Sequence, residues 1–178
     1  MLNIENEYYL IRNFKLDDYE QLFDYLSREE VYLFEPGQPI SLEEARKLAE
    51  QRAAENHFFA VIDKLSNRLI GHFSFFQVEP FYVNTYEIGF IFHPDYQGQG
   101  HATRAAQAFI THWLAQKQVH KIIATCNPEH HRSWQLLERL GFEREGRLKH
   151  NIYFKTVAGK PLWQDSYLYG KLSARQGD

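Results

Sequence analysis

The sequence predicts an α/β chain of the α+β kind: a mostly antiparallel sheet flanked by helices, in a single domain over residues 1–178. Three observations predict it. Aromatic and branched runs alternate with helix-period stretches in the order βααβββαβαββ. The runs "FFAVID", "RLIGHFSFFQV" and "TYEIGFIF" follow one another across short turn-like spacers, as neighbouring antiparallel strands do. No linker, repeat or low-complexity tract divides the chain, and 44% hydrophobic residues suffice for one sizeable core.

Taken in order, "YYLIRNF" (8–14) reads as a strand and "LDDYEQLFDYLS" as a helix on its apolar spacing. After the breaker "EPGQP", Ser41 and Glu44 have the spacing of a capping box for a helix through "LEEARKLAEQRAAEN". The hairpin 58–78 turns at "KLSN" and is followed by the strand 85–92. Beyond "HPDYQGQG", residues Ala102, Ala105, Ala106, Phe109, Ile110 and Trp113 form an apolar stripe along a helix. "HKIIATC" (120–126) reads as a buried strand, "RSWQLLERL" as a short helix, and Gly141 as its left-handed cap before "FERE". The strands "LKHNIYF" and "SYLYGKL", with the turn "AGKP" between them, complete the order, and the tail "SARQGD" is expected to fray.

Composition narrows the partners. A net charge of -3 argues against nucleic acid or an anionic membrane, and the basic residues Arg144, Arg147, Lys149, Lys155 and Lys160 are interleaved with Glu143 and Glu145. The single cysteine, Cys126, excludes an intrachain disulfide, and there is no Cys/His set for structural zinc; His130 and His131, being adjacent, do not share a metal easily. No apolar run reaches the roughly 20 residues of a membrane span, and the N-terminus lacks a signal pattern. The expectation is a cytoplasmic protein with no metal.

Chemistry concentrates at "HPDYQGQGHATRA". Two glycines where a helix begins mark a place where something approaches the backbone, and the free N–H groups and positive dipole end of a first helical turn suit a phosphate. The alternative is that Gly98 and Gly100 merely shape a turn. The GK[ST] ending of an NTPase loop is absent, and Thr103 and Arg104 stand where a GxGxxG fingerprint would bring its third glycine.

The run Gln97-Gly98-Gln99-Gly100-His101-Ala102 resembles the Q/R-x-x-G-x-G/A signature of the GNAT acetyltransferase superfamily. The likeness extends through "YEIGFIFHPDYQGQGHATRA" and "SWQLLERLGF", and over nearly the full length it is nearest to the branch of ribosomal-protein alanine N-acetyltransferases. It implies the GNAT acyl-CoA N-acyltransferase fold with a mixed, mostly antiparallel sheet, and acetyl-CoA as co-substrate. The pyrophosphate would lie on the N–H groups of residues 98–102, with Gln97, Thr103, Arg104 and His130 nearby. The pantetheine arm would pair with the backbone of Ile91 and Phe92, as an added strand does.

Acetyl transfer to an amine requires a proton acceptor for the ammonium group, polarisation of the carbonyl, and a proton for the thiolate. The resemblance points to Glu87 as base, directly or through water, against the alternative of a structurally paired strand carboxylate. It points to Ser133 as the group near sulfur, against the alternative of a helix N-cap. Three positions depart from the family: His130 stands where many members have Asn, Leu137 where other branches have an acidic Tyr, and Ile152 where some ribosomal-protein enzymes have a Glu. His72 is expected to be a hydrogen-bonded core histidine rather than a pocket residue, Cys126 to pack rather than react, and the aromatics of "FYVNTYEIGF" to build core. The function expected is N-acetylation of a primary amine in a ternary complex, the acceptor being a protein N-terminus or a small molecule such as a polyamine or antibiotic. A noncatalytic acyl-CoA-binding module is the alternative from another class. Exposed aromatic strands near the C-terminus permit a homodimer.

Overall fold

The structure, a computed structural model, describes residues 1–173. Its strands are β1 (Asn3–Glu5), β2 (Tyr9–Asn13), β3 (Phe58–Asp63), β4 (Arg68–Gln77), β5 (Thr85–Phe92), β6 (Lys121–Cys126), β7 (Glu143–Ile152), the short β8 (Thr156–Val157) and β9 (Lys160–Pro161), and β10 (Gln164–Leu172). The helices are α1 (Tyr19–Leu26), α2 (Leu42–Ala54), α3 (His101–Leu114) and α4 (His131–Arg139). Eight strands form one sheet in the order β1-β2-β3-β4-β5-β6-β10-β7, with β5–β6 its parallel pair; β8 and β9 form a separate hairpin. The mixed, mostly antiparallel sheet flanked by helices is therefore present.

Both faces of the central strands are covered, which explains why "FFAVID" is apolar throughout rather than alternating. Phe59 and Val61 pack with Phe73, Phe109 and Ile110 on the α3 side, while Ala60 and Ile62 pack with Leu22, Tyr25 and Leu26 on the α1 side. Within the predicted stripe of α3, Ala105, Ala106, Phe109 and Ile110 are buried, and Ala102 and Trp113 pack partly buried against the same cluster. Ser41 and Glu44 form the predicted capping box, and Gly141 leaves α4 at φ +77. His72 is a core residue: its Nδ1 lies 2.6 Å from Tyr25 Oη.

Five features differ from the expectation. β1 is three residues of mixed polarity and carries no periodicity to read. A 3-10 turn, Leu16–Asp18, precedes α1. "FERE" and "LKHNI" fuse into one edge strand because β10 pairs along both, with register shifts at two points. "AGKP" lies within the β8–β9 hairpin, which turns through Ala158 and Gly159, both at positive φ. Phe81 (56% exposed) and Tyr82 (84% exposed) do not build core, since they lie on a 3-10 turn outside the sheet. The expectation for the tail falls, beyond Ser173, outside the described residues. Among the described residues no helix is long and apolar enough to cross a membrane.

Candidate active site

Strands β5 and β6 create the site by parting. Their pairing runs from Thr85↔Lys121 to Glu87↔Ile123 and stops, while β5 continues to Phe92 and β6 to Cys126. Hydrogen-bond parity identifies the backbone groups left open. Thr85 and His93 bond toward β4, through Val78 N–H to Thr85 O and His93 N–H to Ile70 O, while Asn84 O accepts from His120 N–H on the β6 side. Odd-numbered peptide groups of β5 thus face β4, and those of Phe90 and Phe92, beyond the last pair Glu87↔Ile123, face the gap. Gln97 donates its amide to Phe92 O at 3.0 Å. The backbone of Ile91 is turned the other way, so Phe90 takes the place expected of Ile91.

The loop after β5 is held from below. Arg28, just past α1, forks onto Asp95 at 2.7 and 3.0 Å, and Gln99 donates to Asp95 O at 2.8 Å. Gly98 (φ +74) and Gly100 (φ +80) then turn the chain through left-handed conformations into α3. From Gly98 to Thr103 no peptide N–H donates a hydrogen bond within the described residues, the first helical bond being Arg104 N–H to Gly100 O. These free donors and the helix dipole give the loop the character of an anion cradle.

A cavity of about 750 Å³ connects the loop to the open edge of β5. Gln97, Gly98, Gly100, Ala102, Thr103, Ile91, Phe92, His130 and Ser133 line it. Gln99, His101 and Arg104 do not. His101 Nδ1 lies 3.0 Å from Tyr9 Oη, and Arg104 donates to Tyr9 Oη and to Gln99 O, each at 3.2 Å. These side chains brace the loop from the sheet side. Arg132 and Arg139 of α4 line the cavity instead, Arg132 donating from its guanidinium to Gln97 Oε1 at 3.3 Å. Sequence reasoning missed both, although their spacing of seven puts them on one helical face.

An adjoining cavity of about 320 Å³ opens on the other side of the parted strands. Glu87 lines it, half-buried, and accepts a hydrogen bond of 3.0 Å from Thr125 Oγ1. Ile152 also lines it, whereas Leu137 is buried in the core. Ser133 and His130 line both cavities. His130 is the N-cap of α4 and Ser133 the third helical residue, its own N–H bonded to His130 O, so Ser133 is not the helix cap. Burial pushes the Cys126 thiol up to about 11, partly offset by the Ser133 hydroxyl, which leaves Cys126 protonated and inert at neutral pH. Burial, Arg132 and His131 hold His130 below the usual imidazole range.

Glu35, in the segment between α1 and α2, also lines both cavities, and burial raises its carboxyl to about 7. It was not singled out from sequence: in "LFEPGQP" it stands in a turn with no periodicity to give it a face.

Known proteins resemble this chain in sequence and in fold. The acetyltransferase (GNAT) domain family matches residues 9–143. The chain is 33% identical over 172 residues to the uncharacterised N-acetyltransferase YnaD of Bacillus subtilis, covering 96% of this chain and 97% of that one. It is 29% identical over 122 residues to the ribosomal protein uS5 alanine N-acetyltransferase of Escherichia coli, covering 68% of this chain and 62% of the other. The crystal structure of a GNAT-family acetyltransferase from Bacillus anthracis superposes with a TM-score of 0.86 at 33% identity, covering 97% of this chain and 99% of that one.

Proposed function

The chain belongs to the GNAT acetyltransferase family, and on that premise we propose that this acetyl-CoA-dependent N-acetyltransferase modifies the amine of a protein N-terminus, by direct attack in a ternary complex. The observation that carries the reading is the continuity of one cavity from the free N–H groups of residues 98–103 to the open edge of β5.

Acetyl-CoA supplies an activated acetyl thioester. Its pyrophosphate suits the loop N–H groups, with Arg132 and Arg139 adding charge-assisted contacts. Its amide-bearing arm suits the peptide groups of Phe90 and Phe92, which lack a strand partner on the β6 side. An N–H on that edge also suits the carbonyl oxygen that gains charge during transfer. The Ser133 hydroxyl, at the junction of the two cavities, is the group suited to protonating the departing sulfur.

The acceptor belongs in the adjoining cavity. Its charged lining consists of the carboxylates Glu35, Glu87 and Asp165 without a Lys or Arg, which favours a cationic amine. The uS5 alanine acetyltransferase among the relatives supports a protein N-terminus. The surface ion pairs Arg147–Asp165 and Lys121–Glu145 support a mixed-charge face rather than a nucleic-acid groove. The single buried cysteine supports a reducing, cytoplasmic setting. Exposed Leu148, Ile152, Tyr153 and Trp163 near the β7 edge support a second copy as partner.

The test is release of CoA thiol from acetyl-CoA across N-terminal peptides, including ribosomal-protein termini, polyamines, aminoglycosides and amino acids. Release confined to peptides supports the reading; release with polyamines or aminoglycosides alone replaces the acceptor class.

A further inference from the structure

The two cavities meet at five residues that line both: Phe34, Glu35, Phe90, His130 and Ser133. One cavity holds the anion cradle and the other the acidic acceptor face, so a group passed between two substrates crosses at this junction. Of the five, Glu35, His130 and Ser133 carry groups that exchange protons. Ser133 is a poor base unless another group first takes its proton. His130 stacks on Phe34 with ring centroids 4.6 Å apart, and shares its cavity with the cation Arg132, which disfavours a second positive charge.

Glu35 differs from the other acceptor-side carboxylates. Glu87 is held by Thr125, and Asp165 accepts from Arg147 and from the His150 N–H. Glu35 forms no hydrogen bond or ion pair with any described residue, although it is half-buried. Glu87 and Asp165 also line the acceptor cavity alone, whereas Glu35 reaches the cofactor cavity as well. From this placement we infer that Glu35, rather than Glu87, takes the proton from the acceptor's ammonium group. This rests on the acetyltransferase reading above.

The protons balance. The nitrogen loses two: one passes to Glu35 and then to solvent, which frees the lone pair for attack. The second leaves as the C–N bond forms and the C–S bond breaks, and it ends on the sulfur of CoA. A base is most effective when its affinity for protons lies near the working pH, and burial places the Glu35 carboxyl there. The titratable and charged groups facing the two cavities from the packed elements are Glu87 on β5, Tyr96 on the loop after it, Cys126 on β6, Glu129, His130, His131, Arg132 and Arg139 at α4, and Asp165 on β10, with Glu30 on Glu35's own segment.

The experiment compares Glu35→Gln, Glu87→Gln and the wild type, using the amine found active in the thiol-release panel. Expected are a fall in kcat of about 10²- to 10⁴-fold for Glu35→Gln, with loss of the acidic limb of the kcat/KM profile, and retention of that limb in Glu87→Gln. A circular dichroism spectrum and a thermal midpoint at pH 4 that match the wild type separate lost chemistry from misfolding in Glu35→Gln. A Glu35→Gln enzyme that keeps its rate and acidic limb overturns the inference while leaving the acetyltransferase reading intact; a wild type that releases no thiol with any amine defeats that reading itself. Carboxyl ¹³C NMR titration of the wild type with CoA bound requires no acceptor. A Glu35 signal titrating near pH 7 supports the assignment, and one titrating in the ordinary carboxylate range overturns it.

Discussion

The ring of Phe34 lies against that of His130, with centroids 4.6 Å apart and planes 15° from parallel. The stack joins the segment between α1 and α2 to the start of α4 across the junction of the two cavities. It thereby fixes the segment that carries Glu35, the next residue, at that junction. Replacing Phe34 with Ala removes a pair worth about 0.5–1.5 kcal/mol beyond its buried area. Acceptor KM should rise several-fold, with a smaller change in CoA affinity; steady-state kinetics and calorimetry check this.

Gly100 adopts φ +80, and a Cβ there would lie 2.7 Å from a guanidinium nitrogen of Arg104, which itself braces the loop. Gly100→Glu adds strain and a negative charge to an anion cradle. CoA affinity should fall by more than tenfold, a loss above about 1.4 kcal/mol, while circular dichroism stays that of the wild type. Undiminished CoA binding would show that the phosphate lies elsewhere.

Because His130 and not Ser133 is the α4 N-cap, Ser133→Ala should cost little stability. If its hydroxyl serves the departing sulfur, kcat should fall about 10²-fold or more. A large drop in thermal midpoint with full activity would return Ser133 to a structural role.

The raised Glu35 carboxyl has a consequence for stability. The folded protein holds that proton up to about pH 7, whereas the unfolded chain releases it near its ordinary value of 4.5. Folding is therefore favoured by this group below the lower value, and that contribution is lost as pH rises toward 7. Glu35→Gln should raise the thermal midpoint at pH 8 relative to wild type and change it little at pH 4, as differential scanning calorimetry can measure.

Much of the architecture was legible because it follows local rules. The α3 stripe, the Ser41–Glu44 capping box and the 58–78 hairpin are each specified by residues within a few positions of one another. The glycine loop before α3 was legible for the same reason, since orphan N–H groups and left-handed glycines belong to a single short run. Gln99, His101 and Arg104 sat inside that run, yet their side chains turn to Tyr9 or to the loop itself; sequence proximity gave no direction to them.

The sequence by itself determined the fold class, the anion cradle and the family's chemistry. Only the tertiary structure decided which strand edge opens, because that depends on where β5–β6 pairing ends and on the parity of hydrogen bonds to β4. It alone decided that Arg132 and Arg139 of α4 share a cavity with Gly98, and that Glu35 stands between two cavities. A carboxylate in an aperiodic turn carries no local signal of its surroundings; its burial comes from elements distant in sequence, and burial is what changes its hold on a proton.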